Sequence, residues 1–361
     1  MRIAVLGGGN GSYAAAADLA ERGHEVRLWR REGAELRHLG ETGTIAIVDN
    51  AGRRTVRLAA ACAEIGEAVR GAELIVAPVP AFAQEDLARR LAPHLSAGQV
   101  VFLPPGTFGS FAMARAMRDA GGSHGVAFAE AGTLPYLARK HGPAEVAVTT
   151  RATRLPSGVF PASESERALA VVAAAYPAVE KVEDALGGAL MNAGPIIHPP
   201  LIVMNAAPIE HFERWDIHNE GTQPSVRRVT TALDGERIAV REALGYGPPH
   251  FPLADHYEPG GEEWMYGNLA HEKLVDSGDW REALDLTRHR YMREDVAYGL
   301  AFLVSVADWA GVPCPVARGL LSVASAVLDE RLESGPRTLG ALGLARLDRT
   351  GMKQLLRVGL A

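Results

Sequence analysis

The sequence predicts an α/β fold: an N-terminal domain on a mainly parallel sheet, followed by an all-helical C-terminal domain. Three observations predict it. Short apolar runs alternate with helix-forming segments from Arg2 to Ala129. A glycine-rich stretch, Gly7-Gly8-Gly9-Asn10-Gly11-Ser12, separates the first run from the first helix-forming segment. After about residue 185 the strand-like alternation nearly disappears. The chain has 361 residues, which is too long for one ordinary hydrophobic core and suits two.

Taken in order, Arg2–Leu6 is a buried-strand run, and Ala14–Glu21 is alanine-rich and helix-forming. Gly23 sits where a helix stop belongs, and His24–Trp29 reads as the second strand. Thr44–Val48 and Thr55–Leu58 look like a strand pair, Ile65–Arg70 a short helix, and Leu74–Val79 a further buried strand. Gln84–Ala92 suits a helix, Val100–Leu103 a strand, Phe111–Ala120 a helix, and Val126–Ala129 a strand. This βαβ rhythm implies a sheet covered by helices on both faces. Val179–Val182 reads as the last strand, so the domains are expected at 1–184 and 185–361, with the linker-like Leu155–Ser163 as a weaker boundary. Helices are expected over Ala185–Ala206, Arg228–Leu244, Trp280–Thr287, Val296–Ala310 and Ala317–Leu328, with a long ordered loop at Gly245–Gly261.

Composition excludes several classes. Apolar residues make up 47% and charged residues 22%, as in a globular protein. The net charge of −6 argues against nucleic acid, which needs a concentrated basic face. Cys62 and Cys314 lie far apart and give neither a disulfide framework nor a metal spacing, so no metal is expected and a cytoplasmic location is. No signal peptide is visible, and Ala168–Tyr176 and Leu300–Val312 are too short to span a bilayer or contain Asp308, so no membrane association is expected.

The glycine stretch carries the first chemical meaning. A dinucleotide's pyrophosphate needs backbone N–H groups at a helix N-terminus with no side chain in the way. Gly7 allows the tight turn and Gly9 the close approach, while Ser12 replaces the third glycine of G-x-G-x-x-G. Strand, loop and helix in that order open a Rossmann βαβ unit. The second strand ends at Trp29, and Arg30-Arg31 follow where an NAD site usually places an acid. Two guanidiniums suit a 2′-phosphate, which points to NADP with NAD as the alternative; a solvated surface pair is the other reading. The candidate cofactor-binding residues are Gly7, Gly9, Asn10, Gly11, Ser12, Arg30, Arg31 and Pro80.

Three further segments, Pro105-Gly106-Thr107, Asn192-Ala193-Gly194-Pro195-Ile196-Ile197-His198-Pro199 and Arg290-Tyr291-Met292-Arg293-Glu294-Asp295, join the glycine loop in a pattern that resembles the octopine/nopaline dehydrogenases, the opine dehydrogenase family. The resemblance spans nearly the whole chain. It implies a Rossmann domain joined to a helical domain, with small-molecule substrates between them. It also implies reductive condensation of a 2-oxo acid with the amino group of an amino acid or amine. By the same resemblance His198 pairs with Asp295, Arg290 binds a carboxylate, and Thr107, Thr133 and Arg139 fall where the oxo acid is contacted. Arg30, where several members carry aspartate, and the loop Gly245–Gly261 depart from the pattern.

Read from physics alone, His198 between Ile197 and Pro199 suits either a general acid/base or a satisfied core position. An adjacent Asp295 would fix its tautomer and raise its pKa, whereas Glu294-Asp295 also suits a solvated helix start. One arginine of Arg288, Arg290 and Arg293 could clamp a carboxylate. Asp255, His256, Tyr257 and Glu258 read as loop polarity within reach of an amine substrate. Two other readings stay open: a ketopantoate reductase or glycerol-3-phosphate dehydrogenase relative, and a non-catalytic dinucleotide sensor. The former usually employs a lysine, and the second domain has only Lys273 and Lys353. A homodimer is one assembly open to such an enzyme.

Overall fold

The computed structural model describes every residue except Glu32, Ser123, Glu262 and Ala361. It comprises two compact units, Met1–Ala189 with Gln354–Ala361, and Leu190–Lys353. The first division therefore falls after Ala189 and not after Asp184, and the end of the chain rejoins the first unit.

The first unit holds twelve strands among the described residues: β1 (Arg2–Leu6), β2 (Glu25–Trp29), β3 (Thr44–Asp49), β4 (Gly52–Arg57), β5 (Ala60–Cys62), β6 (Leu74–Val76), β7 (Val100–Leu103), β8 (Ala127–Ala131), β9 (Tyr136–Lys140), β10 (Glu145–Arg151), β11 (Leu155–Phe160) and β12 (Val179–Lys181). Its helices are α1 (Asn10–Glu21), α2 (Ala34–Thr42), α3 (Ile65–Val69), α4 (Ala81–Leu91), α5 (Gly109–Asp119), α6 (Ser165–Ala175) and α7 (Ala185–Ala189). The main sheet runs β12-β11-β8-β7-β6-β1-β2-β5. Every pairing in it is parallel except β8 with β11. β1 lies between β2 and β6, so the strand order reverses there; ligands of open α/β sheets bind at that reversal.

Burial on both faces explains the unbroken apolar run of β1. Ile3 and Val5 pack with Tyr13, Leu19, Val26 and Leu28 on one side. Ala4 and Leu6 pack with Trp29, Ile75, Val101 and Leu103 on the other. Each such large side chain contributes about 1.5–3 kcal/mol by leaving water. A second sheet, β4-β3-β10-β9, contains the expected strand pair as β3 and β4, and adds β9 and β10, which no sequence signal had marked.

Several expectations need correction. Leu155–Ser163 is no linker: Leu155–Phe160 is the fully buried β11, paired with β8 and β12. Asp184 does not end the first unit, because α7 packs on β11. Gly188 permits this contact, since a Cβ there would stand 2.7 Å from the Gly158 nitrogen.

The second unit contains α8 (Gly194–Met204), α9 (Ala206–His211), α10 (Pro224–Ala243), α11 (Ala270–Asp276), a π-helix (Tyr291–Leu300), α12 (Ala301–Ala310) and α13 (Pro315–Leu328). The expected helix Ala185–Ala206 is interrupted between Ala189 and Gly194. Arg237 captures the Leu190 carbonyl at 3.1 Å, and the Asn192 side chain accepts from the Gly194 N–H at 3.0 Å, so a new helix starts there. Ala185–Met204 has the length and composition of a membrane span, against the expectation that no run does, but 78% of its most apolar window is buried. Trp280–Thr287 is not helical. The strand β14 (Arg281–Glu282) pairs with β13 (Trp215–Asp216), and Asp285 accepts from the Thr287 and Arg288 N–H groups, which favours a turn over a helix. The expected helix Val296–Ala310 is the end of the π-helix running into α12.

Candidate active site

His198 lies on α8 and Asp295 on the π-helix, and the two elements pack together. The His198 Nδ1 stands 2.7 Å from Asp295 Oδ2. A Cβ on Gly194 would collide with Asp295 Oδ1, so the glycine before Pro195 lets the carboxyl reach the histidine. Gly299 plays the same part further along, where a Cβ would meet the Pro195 ring. The π-helix is itself a local departure often found at functional sites, since its wider turn re-aims side chains.

Two aromatic groups absent from the sequence-based site complete the cluster. Tyr291 stacks on the His198 ring, with centroids 3.6 Å apart and planes at 7°. Its hydroxyl lies 2.7 Å from His218 Nε2, and His218 meets Trp280 edge-on at 4.8 Å. Tyr291 sits inside the Arg-Tyr-x-x-Glu-Asp segment and could have been picked from it; His218 carries no sequence signal.

Burial governs the protonation of the pair. It pushes the Asp295 carboxyl up to about 7, against the opposing pull of Arg290. Burial also holds the His198 imidazole well below its ordinary value, and the positive charge of Arg290 adds to this. The expectation that Asp295 raises the imidazole pKa is therefore reversed, because desolvation of two buried groups outweighs their attraction. Above about pH 7, where Asp295 is ionised, its carboxylate accepts from Nδ1–H of the neutral imidazole and leaves Nε2 as a proton acceptor.

Of the cationic stretch, Arg290 alone neighbours the pair. Its side chain is 57% exposed, with Nε 3.7 Å from Glu294 and the guanidinium 6.0 Å from the Tyr291 ring centroid. Arg293 is occupied by the Thr287 carbonyl and by Glu330, and Arg288 is exposed beside Asp285. Nearby, burial and then the charges of His271, Arg227 and His198 lower His256 to about 3. His256 Nδ1, Trp264 Nε1 and Arg227 Nε are buried polar atoms without a hydrogen-bond partner among the described residues.

In the first unit the glycine loop fits a dinucleotide. Gly7 has φ 120°, and a Cβ there would stand 2.6 Å from Ser12 Oγ, which itself donates to the Leu6 carbonyl at 3.3 Å. Gly9 is open above, while a Cβ on Gly11 would meet Leu134 at 2.7 Å. The first turn of α1 carries no acidic residue, so no carboxylate of the helix itself opposes an anion there. The Asn10 side chain accepts from the Lys140 N–H at 3.0 Å. Pro80 precedes α4 as its N-cap.

Arg30 and Arg31 do not act alike. Arg31 is exposed, whereas Arg30 lies against Gly8, donates to the Tyr13 hydroxyl at 2.8 Å and pairs with Glu35. Glu35 also pairs with Lys140, at 2.7 and 2.9 Å. The site thus has an acid where sequence reasoning found none, five positions beyond Arg30 on α2. Thr107 and Thr133 are buried, Thr107 in a left-handed conformation with φ 57°, and Arg139 lies half-buried on β9. The Pro105–Thr107 turn is anchored by Gln84, which donates to the Gly106 carbonyl at 3.0 Å.

Comparison with known proteins follows the same division. The family described as NAD/NADP octopine/nopaline dehydrogenase, alpha-helical domain, matches residues 181–328. The NAD-dependent glycerol-3-phosphate dehydrogenase N-terminus matches residues 2–104. An opine dehydrogenase of Arthrobacter sp. (strain 1C) is 29% identical over 357 residues, covering 97% of each chain. A solved octopine dehydrogenase in complex with NADH and agmatine shares the fold, with a TM-score of 0.74, 18% identity, and 99% and 98% of the two chains covered. An NADP+-bound yersinopine dehydrogenase does so with a TM-score of 0.67, 16% identity and 99% of each chain covered.

Proposed function

We propose that the chain is an NAD(P)-dependent opine dehydrogenase of the NAD/NADP octopine/nopaline dehydrogenase family, in which His198 moves the protons of the reaction, Asp295 positions it and Arg290 holds a carboxylate. The observation that carries this reading is the 2.7 Å contact between His198 and Asp295, with Arg290 beside it. The substrates are small molecules, in this reading a 2-oxo acid and an amino acid or amine.

An amino acid arrives as an ammonium ion, which cannot attack a carbonyl. The neutral His198 imidazole takes one of its protons at Nε2 while Nδ1–H stays on Asp295. The freed amine then adds to the carbonyl carbon of the oxo acid. His198 returns its proton to the hydroxyl so formed, water leaves with the C–O bond electrons, and the nitrogen lone pair closes a protonated imine. NAD(P)H, when bound, would supply the hydride that turns this protonated imine into a secondary amine. Arg290, exposed but close to the pair, is suited to bidentate carboxylate binding. Thr107, Thr133 and Arg139 remain the proposed contacts of the oxo acid. The buried N–H groups of Trp264 and Arg227 and Nδ1 of His256 are suited to polar groups of the amine.

For the cofactor-binding residues, Gly7, Gly9 and Gly11 are proposed to cradle the pyrophosphate, and Arg30 to favour NADP. Two buried unpaired cysteines, Cys62 and Cys314, suit the proposed cytoplasmic location, and a homodimer is the proposed assembly, open to gel filtration. Neither nucleic acid nor membrane is part of the proposal.

The test crosses a panel of oxo acids with a panel of amines and follows NAD(P)H absorbance. Oxidation should require both partners, and the product mass should equal their condensation plus two hydrogens. Rapid reduction of an oxo acid alone, unaffected by any amine, would assign the chain to hydroxy-acid chemistry instead.

A further inference from the structure

Around Gly8 three charged side chains and the Tyr13 hydroxyl form a closed network. Arg30 Nη1 donates to Glu35 Oε2 and, at 2.8 Å, to the Tyr13 hydroxyl. Lys140 Nζ donates to both Glu35 oxygens, at 2.9 and 2.7 Å, and lies 3.4 Å from the Gly8 carbonyl. Both cations share the Tyr13 ring, with Lys140 Nζ 4.7 Å and Arg30 Cζ 5.9 Å from its centroid. A Cβ built on Gly8 would stand 3.0 Å from Arg30 Cζ, so the guanidinium rests on the phosphate loop itself. The arrangement lies at the end of β2, where the adenosine ribose of a bound dinucleotide sits in this fold.

We propose that the Glu35 carboxylate is a built-in occupant of the place taken by the 2′-phosphate of NADP, held there by Arg30 and Lys140. It rests on the dinucleotide reading of the glycine loop. Two cations and one carboxylate leave one net positive charge. A phosphate monoester carries about −1.5 to −2 at neutral pH and three strong acceptor oxygens. It therefore competes successfully for the guanidinium and the ammonium and turns Glu35 out. A 2′-hydroxyl cannot do this, so with NAD the carboxylate stays paired and accepts from the ribose. Glu35 thus makes the site serviceable for both dinucleotides, and Lys140 is a second phosphate-binding cation beside Arg30.

Calorimetric titration of NADP+, NAD+, 2′,5′-ADP and 5′-AMP into the wild type, Glu35→Gln and Lys140→Met tests this without turnover. Glu35→Gln should bind NADP+ and 2′,5′-ADP more tightly and NAD+ more weakly, moving their ratio about tenfold or more. Lys140→Met should move the ratio about tenfold the other way, mostly by weakening the phosphorylated ligands. An unchanged ratio in either variant, each shown folded by its circular dichroism, overturns the proposal. Binding of neither dinucleotide to the wild type would overturn the cofactor reading itself, and the proposal with it.

Discussion

Glu35 and Asp295 are both carboxyl groups within hydrogen-bond reach of a nitrogen base, yet the two regions manage charge in different ways. Glu35 is 31% exposed and answered by two cations, Arg30 and Lys140. Asp295 is 6% exposed and faces a single imidazole that burial keeps neutral. Charge around Glu35 is cancelled by pairing, whereas charge around Asp295 is avoided by holding on to a proton up to about pH 7. A paired carboxylate suits the recognition of a fixed charge. A buried pair short of one stable proton arrangement suits proton transfer.

The sharpest way to break this contrast is to remove the imidazole. His198→Ala should lower kcat about 10²–10⁴-fold, the usual worth of a general acid/base, with dinucleotide affinity unchanged. Near-normal turnover in steady-state assays would place proton transfer elsewhere. Arg290→Leu comes next. Loss of a charge-assisted carboxylate contact should raise the KM of the oxo acid about 10–100-fold while kcat changes less. An unaltered KM would return Arg290 to the role of surface charge.

Asp295→Asn should cost less activity than His198→Ala but change the pH behaviour. The folded-state pKa of Asp295 is raised, so its contribution to stability is present at low pH and is lost as pH rises through about 7. The wild type should therefore lose more thermal stability between pH 5 and 8 than the asparagine variant, in paired melting curves. Parallel curves would mean that the carboxyl is not held neutral. The smallest effect is expected on the other side of the comparison. Glu35→Gln removes two part-exposed ion pairs, with Arg30 and Lys140, and should change unfolding free energy by only about 1 kcal/mol in urea titrations. A larger loss would make Glu35 a structural keystone as well as a charge partner.

Legibility in the sequence followed the range of the interactions. β1, the glycine loop and α1 are contiguous, and a strand buried on both faces writes a continuous apolar run, so the opening of the fold was readable directly. The partnership of His198 and Asp295 spans 97 positions and came through resemblance to a family, not from periodicity. Lys140 and Glu35 stand 105 positions apart, and neither is unusual in its own segment. The break before Gly194 depends on Arg237 reaching the Leu190 carbonyl, and the turn at Asp285 on a side chain competing for backbone donors. Helix propensity sees neither event, which is why Ala185–Ala206 and Trp280–Thr287 read as helices.

β9 fastens the side sheet to the first helix at two points. Tyr136 donates to Asp18 at 3.0 Å, and the Lys140 N–H bonds to Asn10. For protein engineering this sets the size of a transplantable part. A chimaera built by exchanging only β1 through β5 would import the glycine loop, Arg30 and Glu35, and leave their third partner in the host. Such a graft would inherit an unbalanced site whose preference depends on whatever residue the host strand presents at the position of Lys140. The exchangeable module runs through β10, and comparisons of cofactor preference among relatives should be scored over that whole length.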